Sequence, residues 1–260
     1  ADRISINIEL PQQKSLDHLA PEKNVTRTRE AMQNIGVKIA ESKAEKSRKK
    51  PKFANSQSTQ MIVGVDLSDD SHFLRRAGDL YSNFKLRRVY YSAFSPIPDS
   101  SARLPLQAPP LVREHRLYQA DWLMRFYGYD VHEITTKDNP NLDLDIDPKL
   151  SWALRNRGTF PLDINRAPLE LLVRIPGLGV RNAQRIISIR RHSAIRLTDL
   201  IKMRVNLKKS LPFIITSDHQ PANLEIDSKK IRALHAPPPE QLELNLPILV
   251  PKAEILAGEF

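Results

Sequence analysis

Apolar and polar positions alternate with a period of two over residues 3–9, where Ile4, Ile6 and Ile8 interleave with Ser5, Asn7 and Glu9. That period predicts a strand with one buried face, Asn7 and Glu9 sharing the polar one. Helical spacing follows over residues 23–46. The basic run Lys46, Ser47, Arg48, Lys49 and Lys50 then reads as a solvated helix end before Pro51, which stops a helix. Residues 59–65 form a short apolar run, residues 69–84 space Phe73, Leu74, Ala77 and Leu80 as a helix does, and residues 87–94 are strand-like again. The order strand, helix, strand, helix, strand predicts a parallel sheet built from βα units, part of a doubly wound sheet or of a βα barrel.

A proline-rich stretch over residues 96–110 leads into residues 111–129, where Leu117, Ala120, Asp121, Leu123, Met124 and Tyr127 predict an amphipathic helix whose aromatics belong to the core. Residues 138–149 are rich in Asn, Asp and Pro and read as part of an exposed acidic linker spanning 134–150. Asp143, Asp145 and Asp147 alternate there, but without the glycine turn and distal Glu of a calcium loop, so no metal site is expected. Residues 219–260 turn polar and then proline-rich, as a loosely attached tail would.

Charge sharpens this layout. The chain carries a formal net charge of +10 over 260 residues, and residues 151–220 alone hold thirteen Lys and Arg against four Asp and Glu. A basic module of that kind favours a polyanionic partner, because clustered cations displace counterions from phosphates. There is no cysteine, which removes disulfides, thiolate catalysis and any self-supplied iron–sulfur cluster. No stretch approaches the roughly 20 apolar residues of a membrane span, and no signal peptide is visible, so a cytoplasmic location is expected. The chain opens on Ala1 directly before a strand, which suggests a fragment of a longer protein.

The most informative segment is 163–191. Asn165 is a good N-cap with Pro168 in the first turn, Leu169, Leu172 and Val173 form an inner face, and Pro176 ends the helix. Gly177 and Gly179 then allow unusual backbone angles and close approach of a ligand. A second helix starts near Val180, and its unpaired amides and positive dipole end can receive a phosphate. Ala183, Ile186 and Ile187 pack it on the first helix. The candidate DNA-binding residues are therefore Gly177, Leu178, Gly179, Val180, Arg181, Asn182 and Arg185, with Arg190 on a neighbouring face; none of them is placed to read bases. Residues 197–214 repeat the apolar spacing without the glycines, as a degenerate second copy completing a four-helix unit would, with Lys208 and Lys209 near its turn.

On Asn165, Ala167, Leu171, Leu172, Ile175, Pro176, Gly177, Leu178, Gly179, Ala183, Ile186 and Arg190 the segment resembles the helix-hairpin-helix motif of DNA repair and DNA uptake proteins. More widely, residues 2–244 resemble the C-terminal portion of the DNA modification or repair radical SAM proteins, relatives of biotin synthase with a helix-hairpin-helix domain. The strings carrying this are Asp2-Arg-Ile-Ser-Ile-Asn-Ile-Glu-Leu-Pro11, Gln57-Ser-Thr-Gln-Met-Ile-Val-Gly64, Val89-Tyr-Tyr-Ser-Ala-Phe-Ser-Pro-Ile-Pro98 and the stretch from Pro105 to Trp122. The resemblance implies α/β plus all-α architecture: a partial βα barrel over 1–133, the C-terminal half of a radical SAM barrel, then the linker and a helix-hairpin-helix DNA-binding domain over 151–218. It also implies S-adenosylmethionine and a [4Fe–4S] cluster in the complete family protein, a separate N-terminal half bearing the cluster, and a uracil-DNA glycosylase-like partner. Asn7, Glu9, Gln57, Thr59 and Gln60 match the family's cofactor-facing or substrate-facing positions.

Lacking the cluster cysteines, this chain alone is expected to bind neither cofactor and to perform no radical chemistry; its catalytic residues are not identified. The expected activity is sequence-independent DNA binding in the service of DNA repair or modification. The alternative is an adaptor whose basic module binds an acidic protein. An independent hydrolase is disfavoured, since the chain shows no nucleophile elbow, paired metal histidines or Gly-rich nucleotide loop.

Overall fold

The computed structural model describes residues 1–45, 53–99, 101–222 and 228–237. The basic run at 46–50 and most of the expected tail lie outside them.

Three parallel strands form the first sheet in chain order: β1 (Ile4–Ser5), β2 (Gln57–Val63) and β3 (Arg88–Ala93). The helices α1 (Gln13–Leu19) and α2 (Val25–Ala44) lie between the first two strands, and α3 (Asp70–Phe84) lies between the second and third. The Asn24 side chain accepts from the Arg27 N–H to start α2, and Asp69 accepts from His72 to start α3. Phe73, Leu74, Ala77 and Leu80 of α3 are buried against Met61 and Val63 of β2, so the βα pattern of the sequence becomes one packed layer.

β1 is much shorter than its alternation predicts. Ile4 and Ser5 align with Gln57 and Ser58, but Glu9 aligns with Met61, so one extra residue has entered the first strand. Glu9 takes up this bulge at φ 62°, and the Thr59 hydroxyl accepts the Ile8 N–H at 3.1 Å. Ile4, Ile6 and Ile8 are consequently all only partly buried.

The far edge of the sheet is closed by side chains. The alternate N–H groups of Val89, Tyr91 and Ala93 donate to Tyr81 Oη, Tyr118 Oη and Glu114 Oε2 at 3.0, 3.0 and 2.7 Å. Two of these acceptors stand on α4 (Leu111–Phe126), which turns Leu117, Ala120, Leu123 and the carboxylate-bearing Asp121 inward. Trp122 and Phe126 instead face outward, 52% and 48% exposed, contrary to the core role expected of the helix's aromatics. They occupy positions i and i+4, one turn apart on the same side of α4, where they border a cleft shared with Arg88 and Tyr90 of β3.

The acidic segment 134–150 is not an exposed linker. Leu142, Ile146 and Leu150 are buried, and the Asp70 carboxylate binds both the Arg113 guanidinium at 2.7 Å and the Leu142 N–H at 2.8 Å. The short α5 (Val131–Ile134) precedes it, and α6 (Pro148–Arg155) grows from it with Asp147 as N-cap. Nor are all of residues 219–260 loosely attached: α11 (Ser228–His235) buries Ile231 and sets Arg232 against Asp143 and Asp145. Those two aspartates are thereby matched by a cation, and Asp147 by Lys209 at 2.6 Å.

Between α6 and α11 lie α7 (Leu169–Leu172), α8 (Val180–Ile189), α9 (Leu197–Lys202) and α10 (Leu207–Ser210), framed by a parallel two-residue pair of β4 (Leu162–Asp163) and β5 (Ile214–Ile215). Their interior, Leu172, Ile175, Ala183, Ile186, Leu200 and Phe213, belongs to the same apolar cluster as the sheet. The chain is thus a mixed α/β protein with small parallel sheets and, among the described residues, eleven α-helices. No helix among those residues is long and apolar enough to cross a membrane.

Candidate nucleic-acid interface

Two similar turns meet in the 151–220 region. The first runs from α7 to α8 through Ile175, Pro176, Gly177, Leu178 and Gly179; the second runs from α9 to α10 through Met203, Arg204, Val205 and Asn206. Each has one residue in the left-handed region, Gly177 at φ 79° and Arg204 at φ 57°. Each follows it with a buried apolar residue, Leu178 or Val205, and then the N-cap of the next helix, Gly179 or Asn206. The similarity extends outward to Ala183 and Ser210, then Ile186 and Phe213, all buried. The degenerate second copy therefore has the same backbone plan, with arginine tolerated where glycine stands in the first.

The turns interlock. The Asn206 N–H donates to the Gly177 carbonyl at 3.4 Å, and Asn182 Nδ2 donates to the Met203 carbonyl at 3.2 Å. A Cβ on Gly177 would come within 2.6 Å of the Asn206 carbonyl oxygen and 3.0 Å of Lys209 Cβ. Close approach at this glycine thus serves the other turn rather than a ligand. Gly179 differs from expectation too: its φ of −86° is open to any residue, and the nearest contact of an added Cβ would be Tyr127 Oη at 3.7 Å.

Beneath the first turn sits Lys149, which sequence reasoning passed over as linker. Its buried ammonium donates to the Leu178 carbonyl at 2.6 Å and lies 4.7 Å from the centre of the Tyr127 ring. Burial pushes its pKa down to about 7, with nearby Asp147 opposing the shift. The planar peptide fixes N–H opposite C=O, so drawing the Leu178 carbonyl inward turns the Gly179 N–H outward. The next amides, of Val180, Arg181 and Asn182, start α8 and have no acceptor within the helix. The donor set is therefore oriented by a buried cation, and Leu178 itself offers none, since its N–H donates back to Ile175 at 3.2 Å.

Side chains around this end divide into two groups. Arg181, Arg185, Lys202, Arg204 and Lys208 are exposed, and no carboxylate pairs with them among the described residues. Arg181 and Lys208 hold equivalent places, two residues beyond Gly179 and Asn206. Arg190 is withdrawn: its Nη1 donates to the carbonyls of Ile164 and Ala167 at 3.0 and 2.6 Å, tying α8 to the loop before α7. Asn165 is withdrawn likewise. It is not the N-cap of α7, a place Pro168 takes, but exchanges hydrogen bonds with the backbone of Ile195 through Oδ1 and Nδ2.

The residues matched to cofactor positions do not converge. Gln57 is buried with Nε2 on the Phe84 carbonyl at 2.7 Å, and Thr59 is spent on the Ile8 amide. Gln60 points to the opposite face of β2, Glu9 pairs with Lys23 at 3.2 Å, and Asn7 accepts from the Ser5 hydroxyl. In comparisons with known proteins, no family model, curated protein or solved structure matches the chain.

Proposed function

We propose that residues 151–218 are a paired helix-hairpin-helix module that holds DNA by its phosphate backbone without reading sequence. The observation that carries this reading is the interlocked pair of turns presenting Arg181 and Lys208 at equivalent, carboxylate-free positions beside the outward amides of Gly179 and α8. Amides and helix dipole attract one phosphate, and the flanking cations engage its neighbours. Arg181 and Arg185 of α8 and Arg204 of the second turn surround backbone amides whose natural acceptor is a phosphate, so this set is assigned to the DNA backbone rather than to base edges.

Residues 1–133 then read as the C-terminal half of a radical SAM barrel, to which the module brings DNA. The donor set does not suit an iron–sulfur cluster, because the chain contains no cysteine to supply thiolates. No chemical step is assigned to these residues. The cluster-bearing half and a glycosylase-like partner belong to this reading as proteins to be sought in trans.

The test is binding of fluorescently labelled duplexes of two unrelated sequences by the full chain and by Arg181→Ala/Lys208→Ala. The parent binds both equally. The double variant loses about ten-fold or more on each, the order expected for two phosphate contacts. Equal binding by the folded variant, or strong preference for one sequence, would overturn the reading.

A further inference from the structure

A second basic surface lies away from the turns, at the N-terminal ends of the three sheet strands. It is a cleft of about 860 Å³ whose walls include Arg3, Arg87, Arg88, Tyr90, Trp122 and Phe126. Three of the arginines, Arg3, Arg87 and Arg88, are exposed, and no carboxylate pairs with them among the described residues; Asp2 is the single acidic residue of the lining. Arg125 is also there but is committed to Asp121 and to the Arg87 carbonyl.

Cations and rings are interleaved in this cleft. Arg3 reaches across β2 to hydrogen-bond the Tyr90 hydroxyl, and the Arg3 and Arg88 guanidinium carbons each sit 5.0 Å from the Tyr90 ring centre. Opposite them, the half-exposed rings of Trp122 and Phe126 lie 4.6 Å apart, tilted by 50°. Two large rings left in solvent while their helix buries Leu117, Ala120 and Leu123 are not required by packing. Aromatic faces beside unpaired arginines suit a strand of nucleic acid whose bases are not already stacked in a duplex.

The cleft is connected to the paired turns. Trp122 also borders the adjoining hollow lined by Tyr127 and Lys149, and Tyr127 Oη stands next to Gly179. From this continuity we infer that the Trp122 cleft takes the unpaired strand of DNA whose adjacent duplex is held at the turns. Arg3, Arg87 and Arg88 meet phosphates there, while Trp122 and Phe126 stack on bases. The inference rests on the duplex-binding reading above and names the kind of DNA it serves: a junction of double and single strand.

Three ligands separate the two ideas: a blunt duplex, the same duplex with a ten-nucleotide single-stranded tail, and polyglutamate as competitor, each with the full chain. In the parent the tail tightens binding by about ten-fold, the scale of base–aromatic stacking. Trp122→Ala, at an exposed position, abolishes that gain and leaves blunt-duplex affinity unchanged, and Trp122→Phe restores most of it. A tail that adds nothing, or a gain that survives Trp122→Ala combined with Arg88→Ala, would overturn the inference while blunt-duplex binding still upheld the turns. Loss of only the blunt-duplex reading would show as a tail-dependent affinity indifferent to Arg181→Ala/Lys208→Ala. Polyglutamate displacing the tailed DNA as well as an oligonucleotide does would replace the nucleic acid with an acidic protein, against the inference.

Discussion

The two glycines of the first turn do different work. Gly177 combines a φ of 79° with a backbone oxygen 2.6 Å from where a Cβ would stand, so Gly177→Ala must both strain the backbone and push the second turn away. We expect it to lose at least about 2 kcal/mol of stability in urea unfolding. Gly179→Ala should change stability by less than about 1 kcal/mol, because neither its φ nor its surroundings exclude a methyl group. Equal losses in the two variants would contradict the geometry. The motif made both glycines visible in the sequence, but only coordinates tell the turn-forming one from the cap. Arg204 was visible as part of the degenerate second copy, but its left-handed backbone was not, because arginine is no turn signal; Lys149 was missed because it closes a segment rich in Asp and Asn that reads as linker.

Lys149 also carries a pH dependence. An unfolded lysine keeps its proton up to about pH 10.4. In the folded chain burial brings that pKa down to about 7, so between these values the unfolded state binds more protons. Stability contributed by this group is therefore least below pH 7 and grows as pH rises above it, with a slope of at most about 1.4 kcal/mol per unit. Urea midpoints at pH 7 and pH 9 should rise in the parent relative to Lys149→Met. Parallel shifts in the two proteins would remove the buried ammonium from the account.

At the scale of elements, the sheet ends where three side chains take its edge amides. Tyr118 does most, its hydroxyl accepting the Tyr91 N–H and donating to the Tyr91 carbonyl at 2.9 Å. Tyr118→Phe leaves both groups unpaired near the core and should destabilise the protein by about 1–3 kcal/mol in thermal or urea unfolding. A neutral substitution would mean that water serves the edge equally well. The helices α2, α3, α4 and α8 and the strands β2 and β3 were legible from periodicity, since each has a continuous apolar face. The shortened β1 was not, because a bulge leaves no trace in alternation, and α1 is too short to show its period. The outward turn of Trp122 and Phe126 was hidden for a related reason: aromatic content on an amphipathic helix does not disclose which ring lies on which side.

For the whole molecule, the apolar cluster runs from Met32 beneath the sheet through Trp152 to Ile231 of α11, so the sheet and the paired turns share one interior. Composition anticipated a basic module but separated it from the sheet by a linker. Leu142, Ile146 and Leu150 fill that gap with core, a role masked in sequence by the Asp and Asn residues between them. A shared interior gives the turns and the Trp122 cleft a fixed relation, as binding a junction of duplex and single strand requires.

The claim that the paired turns hold DNA by phosphate is tested most directly by salt. Each phosphate neutralised contributes about −0.9 to the slope of log affinity against log salt concentration on duplex DNA. Measured on a blunt duplex, the slope for Arg181→Ala/Lys208→Ala should be shallower than that of the parent by about two contacts' worth, and by the same amount on an unrelated sequence. Identical slopes in parent and variant would contradict the account.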